Sequence, residues 1–225
     1  MHDYRGIGDS RGASLRGLKA DKLMWAEQDM SAALRVLRER AGALPVYWLG
    51  HSLGAQLVGL VDGFEAVRAM VSVGAGVGIW WKMLGNYRWY CFFIWYLYMP
   101  LTIALCGYAP ARAIRQGQDL PKGVAEQWSR WCRSASYFGD YLGEQRLERL
   151  RRVSLPWWSI SFSDDPIANR VTIPDLMRFY PGAKLTLDIL DPQALGQKQM
   201  GHHGFFMPAR GAAMWPRLVE FLKSQ

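Results

Sequence analysis

The sequence is poor in the residues that build disulfide frameworks and metal sites. Its 225 residues hold three cysteines, Cys91, Cys106 and Cys132, and four histidines. An odd number of widely spaced cysteines fits neither a disulfide set nor a zinc site, so reduced, buried thiols in a cytoplasmic protein are expected. No apolar segment follows the polar first residues, so no secretory signal is expected. The formal net charge is +8, yet no zinc-finger, RNA-recognition or basic-zipper pattern accompanies it, and nucleic acid is not an expected partner. The densest basic patch, residues 146–152 (RLERLRR), reads as the solvated face of a helix. Internal repeats and low-complexity segments are missing as well. Gly6-Ile7-Gly8 has neither a preceding strand nor a third glycine at the right spacing, which excludes a dinucleotide fingerprint.

Half of the residues are hydrophobic and a fifth are charged, the composition of a folded globular chain with room for one sizeable core. Leu23, Ala26, Met30, Leu34 and Leu37 recur at three- and four-residue steps, predicting a helix over 21–41, with Asp21 as its cap and Gly42 as its stop. Short apolar runs predict strands at 45–49 (PVYWL), 68–73 (RAMVSV), 157–162 (WWSISF) and 184–190 (KLTLDIL). Helices are predicted at 52–61, 174–180 and 215–224. Alternating strands and helices imply a parallel sheet covered on both faces. The alternation stops at Gly78 and resumes after Leu150. Three segments follow: a first core part at 1–77, an inserted helical lobe at 78–150 and a second core part at 151–225.

One motif carries chemistry. Gly50-His51-Ser52-Leu53-Gly54 lies between an apolar strand and a predicted helix. G-x-S-x-G in that setting describes a tight strand-to-helix turn that strains the serine backbone and holds its hydroxyl clear of the sheet. Glycine is expected to be needed at both ends, to avoid clashes with the neighbouring elements. The following helix would turn its positive end toward developing negative charge. A serine nucleophile needs a base, and the base needs an orienting acid. Asp164 and Asp165 follow the strand at 157–162, and His202 and His203 follow the strand at 184–190. These are strand C-terminal ends, where open parallel sheets collect their sites. Either aspartate and either of these histidines satisfies the pattern. His51 lies inside the turn without an expected catalytic role, and His2 has no evident partner.

These residues bear a resemblance to the α/β-hydrolase superfamily, and within it to bacterial hydrolases with D-Y-R-G-x-G-x-S before the nucleophile and G-H-x-G-F-F near the end. Here those stretches are residues 3–10 (DYRGIGDS) and 201–206 (GHHGFF). The resemblance spans the whole chain and implies Ser52 as nucleophile, His202 as base, Asp165 as acid and the Leu53 N–H as an oxyanion donor. It implies no metal or organic cofactor. In that family the D-Y-R-G stretch follows the fourth strand, so the chain resembles the later two-thirds of a hydrolase, with the first strands missing. The strand at 45–49 would then be a sheet edge, open to pairing or aggregation. The second oxyanion donor would be missing too, a loss that typically costs about a hundred- to a thousandfold in rate.

The lobe at 78–150 occupies the family's cap position and is rich in aromatics, with no charge between Arg88 and Arg112. That stretch is long enough to cross a bilayer. Its scattered tyrosines, its central proline and its position between the two halves of the site argue against a span. A cap packed over the site is the favoured expectation, and shallow membrane contact is the less favoured one. The expectation is therefore an α/β-hydrolase parallel sheet lacking its first strands, with an inserted helical cap. Its function would be that of a cytoplasmic serine hydrolase cleaving an apolar ester or related acyl compound. The alternative is a weakly active or non-catalytic hydrolase-like protein, membrane-associated through its aromatic cap.

Overall fold

The computed structural model describes residues 2–225. Four parallel strands form the central sheet: β1 (Val46–His51), β2 (Val67–Val73), β5 (Pro156–Phe162) and β6 (Lys184–Leu190), in that spatial order. Two short strands, β3 (Tyr108–Ala109) and β4 (Leu120–Pro121), pair antiparallel within the long segment between β2 and β5. The predicted strands fall within a residue or two of those observed. The sheet separates two apolar clusters, and alternation along the strands sorts side chains between them. Met70 and Trp157 enter the larger cluster with Leu57, Leu60 and Trp131. Val71 and Trp158, one position on, enter the smaller one with Phe162, Met200 and Phe205. Both indoles of the Trp157-Trp158 pair are satisfied: Trp157 donates to Ser72 Oγ at 2.8 Å and Trp158 to Asp188 Oδ2 at 3.0 Å.

The first long helix runs from Lys22 through Ala41, with Asp21 accepting the Met24 N–H at 2.7 Å and Gly42 ending it at φ +56°. Its middle, Trp25–Met30, is wound as a π-helix. The helix predicted after Ser52 is shorter than expected. It runs as α-helix only over Leu53–Gln56, breaks at Leu57, and continues as a 3-10 turn over Val58–Leu60. Here the chain meets the helix Glu144–Arg151 closely: a Cβ on Gly59 would lie 2.8 Å from the Leu150 Cα. The arginines of that helix are more than a solvated face. Arg146 pairs with Glu27, and Arg149 with Asp62 and the Leu60 carbonyl, fastening the helix across the first core part.

β1 pairs only with β2 and stands at the edge of the sheet. Leu49 on it is half exposed, beside exposed Val36 and Leu37 of the first helix. The segment between β2 and β5 is mainly helical and contains the run Tyr87–Cys106, twenty residues long. Its middle turn, Ile94–Tyr98, is again π.

Where the first helix meets that segment, Lys22 is fully buried. Its ammonium lies 4.8 Å from the Trp128 ring and 4.7 Å from the Trp131 ring, with Tyr137 at 5.9 Å. No carboxylate pairs with it among the described residues. Burial pushes the Lys22 ammonium down from 10.5 to about 7, opposed only by the Cys132 thiol nearby. The unfolded chain therefore holds this proton above pH 7 and the folded chain does not, so this group makes stability rise with pH from about 7. Burial raises the Cys91 and Cys132 thiols above their ordinary 9, an effect that opposes the rise at higher pH. The denaturant midpoint is expected to climb between pH 7 and 9. Lys22→Met should raise the midpoint at pH 7 and flatten that climb, with a gain on the order of 1–4 kcal/mol. Equilibrium unfolding of both forms across that range checks this.

Candidate active site

All four sheet strands point their C-terminal ends to one side, and four short segments converge there. The turn after β1 brings Ser52, the residue after β2 is Gly74, the turn after β5 brings Asp164 and Asp165, and the long loop after β6 brings His202 and His203. Ser52 has φ +48° and ψ −113°, a conformation non-glycine residues avoid. Such geometry costs on the order of 1–3 kcal/mol and persists only where neighbours over-determine it. The Ser52 N–H donates to the Val73 carbonyl at 2.9 Å, and the Trp48 indole donates to the Gly54 carbonyl at 2.8 Å, closing the turn from both sides.

The two glycines of the turn are unequal, contrary to expectation. A Cβ on Gly50 would lie 2.5 Å from the Gly54 carbonyl oxygen and 3.0 Å from the Ala55 nitrogen, both backbone atoms. A Cβ on Gly54 would meet only the Tyr4 hydroxyl, at 4.0 Å. The first glycine is sterically required; the second is not. The short helix after the turn also weakens the expected dipole, which needs aligned peptide units over several turns. The Leu53 N–H remains a first-turn donor with no intrahelical acceptor.

Of the two aspartates, Asp165 meets the histidine. Its Oδ2 lies 2.8 Å from His202 Nδ1, and its Oδ1 accepts the Ile167 and Ala168 N–H groups at 2.8 and 3.0 Å. The Asp165 side chain is 1% exposed and that of His202 10%. Three hydrogen bonds therefore hold this buried carboxyl group in place. The contact fixes the His202 tautomer with its proton on Nδ1, leaving Nε2 free. Among the described residues, neither Nε2 nor the Ser52 hydroxyl has a hydrogen-bond partner. Asp164 points elsewhere and accepts the Met200 and Gly201 N–H groups, each at 2.9 Å, clamping the base of the histidine loop. His203 lies tilted against His51 and edge-on to His202, at ring distances of 5.0 Å from each, and burial lowers its pKa. His2 rests edge-on against Tyr4.

Two contributors, Gly74 and His51, were not evident from the sequence. Gly74, at φ +62°, leaves room for the pair: a Cβ there would come within 3.2 Å of His202 Nδ1 and 3.3 Å of Asp165 Oδ2. His51 donates from Nε2 to the His202 carbonyl at 2.8 Å and so ties the serine turn to the histidine loop. Burial, with His202 and His203 beside it, pushes His51 down to about 4 and keeps it neutral. Arg5 makes a forked ion pair with Asp29, and Tyr4 stacks on Trp25 at 4.7 Å, which fixes the DYRG stretch against the first helix. The glycine after an apolar strand and the doublet of aspartates were the available signals. Among the described residues, no cluster of three or more His, Cys, Asp or Glu side chains is arranged to hold a metal ion.

A parallel α/β sheet that gathers a strained serine, a buried aspartate and a histidine at its strand ends has the framework of the hydrolases of this fold. The chain belongs to the alpha/beta hydrolase family, whose sequence model matches residues 1–214. Members of the family are generally hydrolytic enzymes. Solved structures share the fold at low identity. A non-heme bromoperoxidase, so described, from Mycobacterium tuberculosis is 20% identical with a TM-score of 0.53, over 99% of this chain and 80% of that one. A lipase-esterase related protein from Clostridium acetobutylicum is 14% identical with a TM-score of 0.53, over 96% and 80%. An esterase from Exiguobacterium antarcticum is 16% identical with a TM-score of 0.52, over 98% and 80%. No curated protein sequence matches the chain.

The unequal glycines give a direct test. Gly50→Ala is expected to lower the thermal unfolding midpoint by several degrees or prevent folding, whereas Gly54→Ala should unfold within about 0.5 kcal/mol of the parent. Paired thermal melts of the two variants decide it.

Proposed function

We propose that the chain is a serine hydrolase that cleaves an ester or related acyl compound through an acyl-enzyme. The observation that carries this reading is the buried Asp165–His202 hydrogen bond, on the same end of the sheet as a serine held at positive φ. In the proposed cycle, His202 Nε2 takes the proton from Ser52 Oγ as the oxygen attacks the acyl carbon. The carbonyl oxygen becomes an oxyanion that accepts from the Leu53 N–H. Collapse breaks the ester bond, and His202 returns the proton to the departing alcohol. Water then attacks the acyl-serine, giving up a proton to His202. The second collapse releases the acid and restores the Ser52 hydroxyl. Asp165 keeps the imidazole oriented and stabilises its charged form throughout. Two neighbours in fold, described as an esterase and a lipase-esterase related protein, favour an ester over other acyl substrates. The apolar aromatic segment between β2 and β5 suits an apolar acyl group, because pockets of this kind are lined mainly by apolar side chains.

A weakly active form is the second reading. It rests on the edge position of β1 and on the Leu53 N–H as the one oxyanion donor assigned. Labelling with a fluorophosphonate, together with hydrolysis of p-nitrophenyl esters, separates the two. Covalent labelling that disappears in Ser52→Ala is the expected result, and ester turnover should fall by about 10⁴ in Asp165→Asn. Asp164→Asn, which leaves the His202 bond in place, should cost far less. Labelling that survives in Ser52→Ala would sink the assignment. A soluble, cooperatively folded parent that takes no label would favour the second reading.

A further inference from the structure

The Tyr87–Cys106 helix leaves one face bare. Only 28% of its most apolar stretch is buried. Ile94, Trp95, Met99 and Ile103 face the core. On the opposite side, Trp89, Phe93, Leu97, Leu101 and Leu105 form an unbroken row at four-residue steps, exposed by 60, 43, 56, 54 and 69%. Phe92 and Tyr96 widen it, stacked on each other at 4.7 Å. The row covers about 24 Å at 1.5 Å per residue. A contiguous apolar strip of this size on the surface marks a contact site.

The charge around the strip says what covers it. From Glu65 to Asp119 the sequence has no acidic residue between those two. Arg88 stands exposed at the start of the helix. At its far end Arg16 reaches over to donate to the Leu105 and Cys106 carbonyls, holding a second cation beside the helix C-terminus. Arg133 lies over the Tyr96 ring at 5.2 Å, flanking the middle. A second copy of the chain laid on this strip would bring arginine against arginine at both ends, in either direction of the helices. A surface of negative charge above an apolar layer matches both features. Trp89 at one end and the arginines around the rim are the residues that settle at a headgroup boundary.

We propose that this face docks the protein onto an anionic lipid bilayer, with the Tyr87–Cys106 helix lying in the plane of the interface. The apolar row enters the acyl boundary, and Arg16, Arg88 and Arg133 pair with lipid phosphates. The helix does not cross the membrane, because its other face is part of the protein core and its middle turn is tied down: the Tyr98 hydroxyl donates to the Pro110 carbonyl at 2.9 Å, and the Ser129 hydroxyl to the Trp95 carbonyl. The proposal is independent of the chemistry at Ser52, and its test reads binding alone.

The test is sedimentation of the purified chain with vesicles of phosphatidylcholine containing 30 mol% phosphatidylglycerol, beside pure phosphatidylcholine. The expected result is binding to the anionic vesicles, weakened on neutral ones and in high salt. Arg88→Gln should weaken it about fivefold, and the double variant Leu97→Glu, Leu101→Glu by about a hundredfold or more. Both leucines are more than half exposed, so thermal unfolding of the double variant should match the parent. Leu97→Ser with Leu101→Ser serves as a milder pair if the glutamates disturb the fold. Absence of sedimentation, or a double variant that binds like the parent, overturns the proposal. So does a dimer that the variant dissolves, which would assign the strip to self-association, and so does release by detergent alone.

Discussion

The site is built around a backbone approach closer than any side chain allows. Ser52 can hold its positive φ because the chain at Gly50 passes within contact distance of the Gly54 carbonyl. That approach sets where the serine stands relative to the end of β2. The Ser52 N–H reaches the Val73 carbonyl, and the next residue, Gly74, leaves the space that the His202–Asp165 pair fills. Two missing Cβ atoms on adjacent strand ends thus bring Ser52 and His202 into one neighbourhood. The remaining contacts hold what this geometry creates: Asp164 under the histidine loop, His51 between the loop and the serine turn, and Trp48 on the Gly54 carbonyl.

The segment between β2 and β5 answers two different demands along one helix. Its inward residues complete the larger apolar cluster, while its outward ones remain in water. The π turn at Ile94–Tyr98 lies between the two α-helical parts. One extra residue in a turn shifts the face that follows, and that shift keeps Met99 and Ile103 on the buried side. Composition alone does not separate a buried apolar helix from one lying on the surface; the distribution of exposure around the helix does.

Much of the architecture was legible in the sequence, for identifiable reasons. β5 and β6 are short apolar runs bounded by polar turns, and the first helix carries its cap, its stop and a helical apolar period. The serine turn was legible because its first glycine is sterically required, although its second is not. The residue pattern alone did not choose between Asp164 and Asp165, which occupy the same turn and differ only in side-chain direction; the family resemblance implied Asp165. The helix after Ser52 was read as too long, because its apolar content has no mark for the close packing of Leu150 on Gly59. The basic run at 146–152 was read as solvated, since no local pattern reveals that Glu27 and Asp62, far away in the chain, wait for Arg146 and Arg149. Gly74 and His51 matter through contacts across the sheet, and sequence spacing carries no record of those.

The buried Lys22 bears on the order of events during synthesis. The rings that enclose it, Trp128, Trp131 and Tyr137, lie more than a hundred positions later, and Gln127, which accepts the Lys22 N–H, is 105 residues away. At ribosomal speeds of about 5–20 residues per second, roughly 5–20 s separate the emergence of Lys22 from that of its enclosure. Through that interval the first helix has nothing to pack its lysine against, and the ammonium stays hydrated and charged. The ammonium loses its water only when the aromatic segment arrives, and burial then weakens its hold on the proton. Closure of this corner of the fold is therefore a late event on the ribosome.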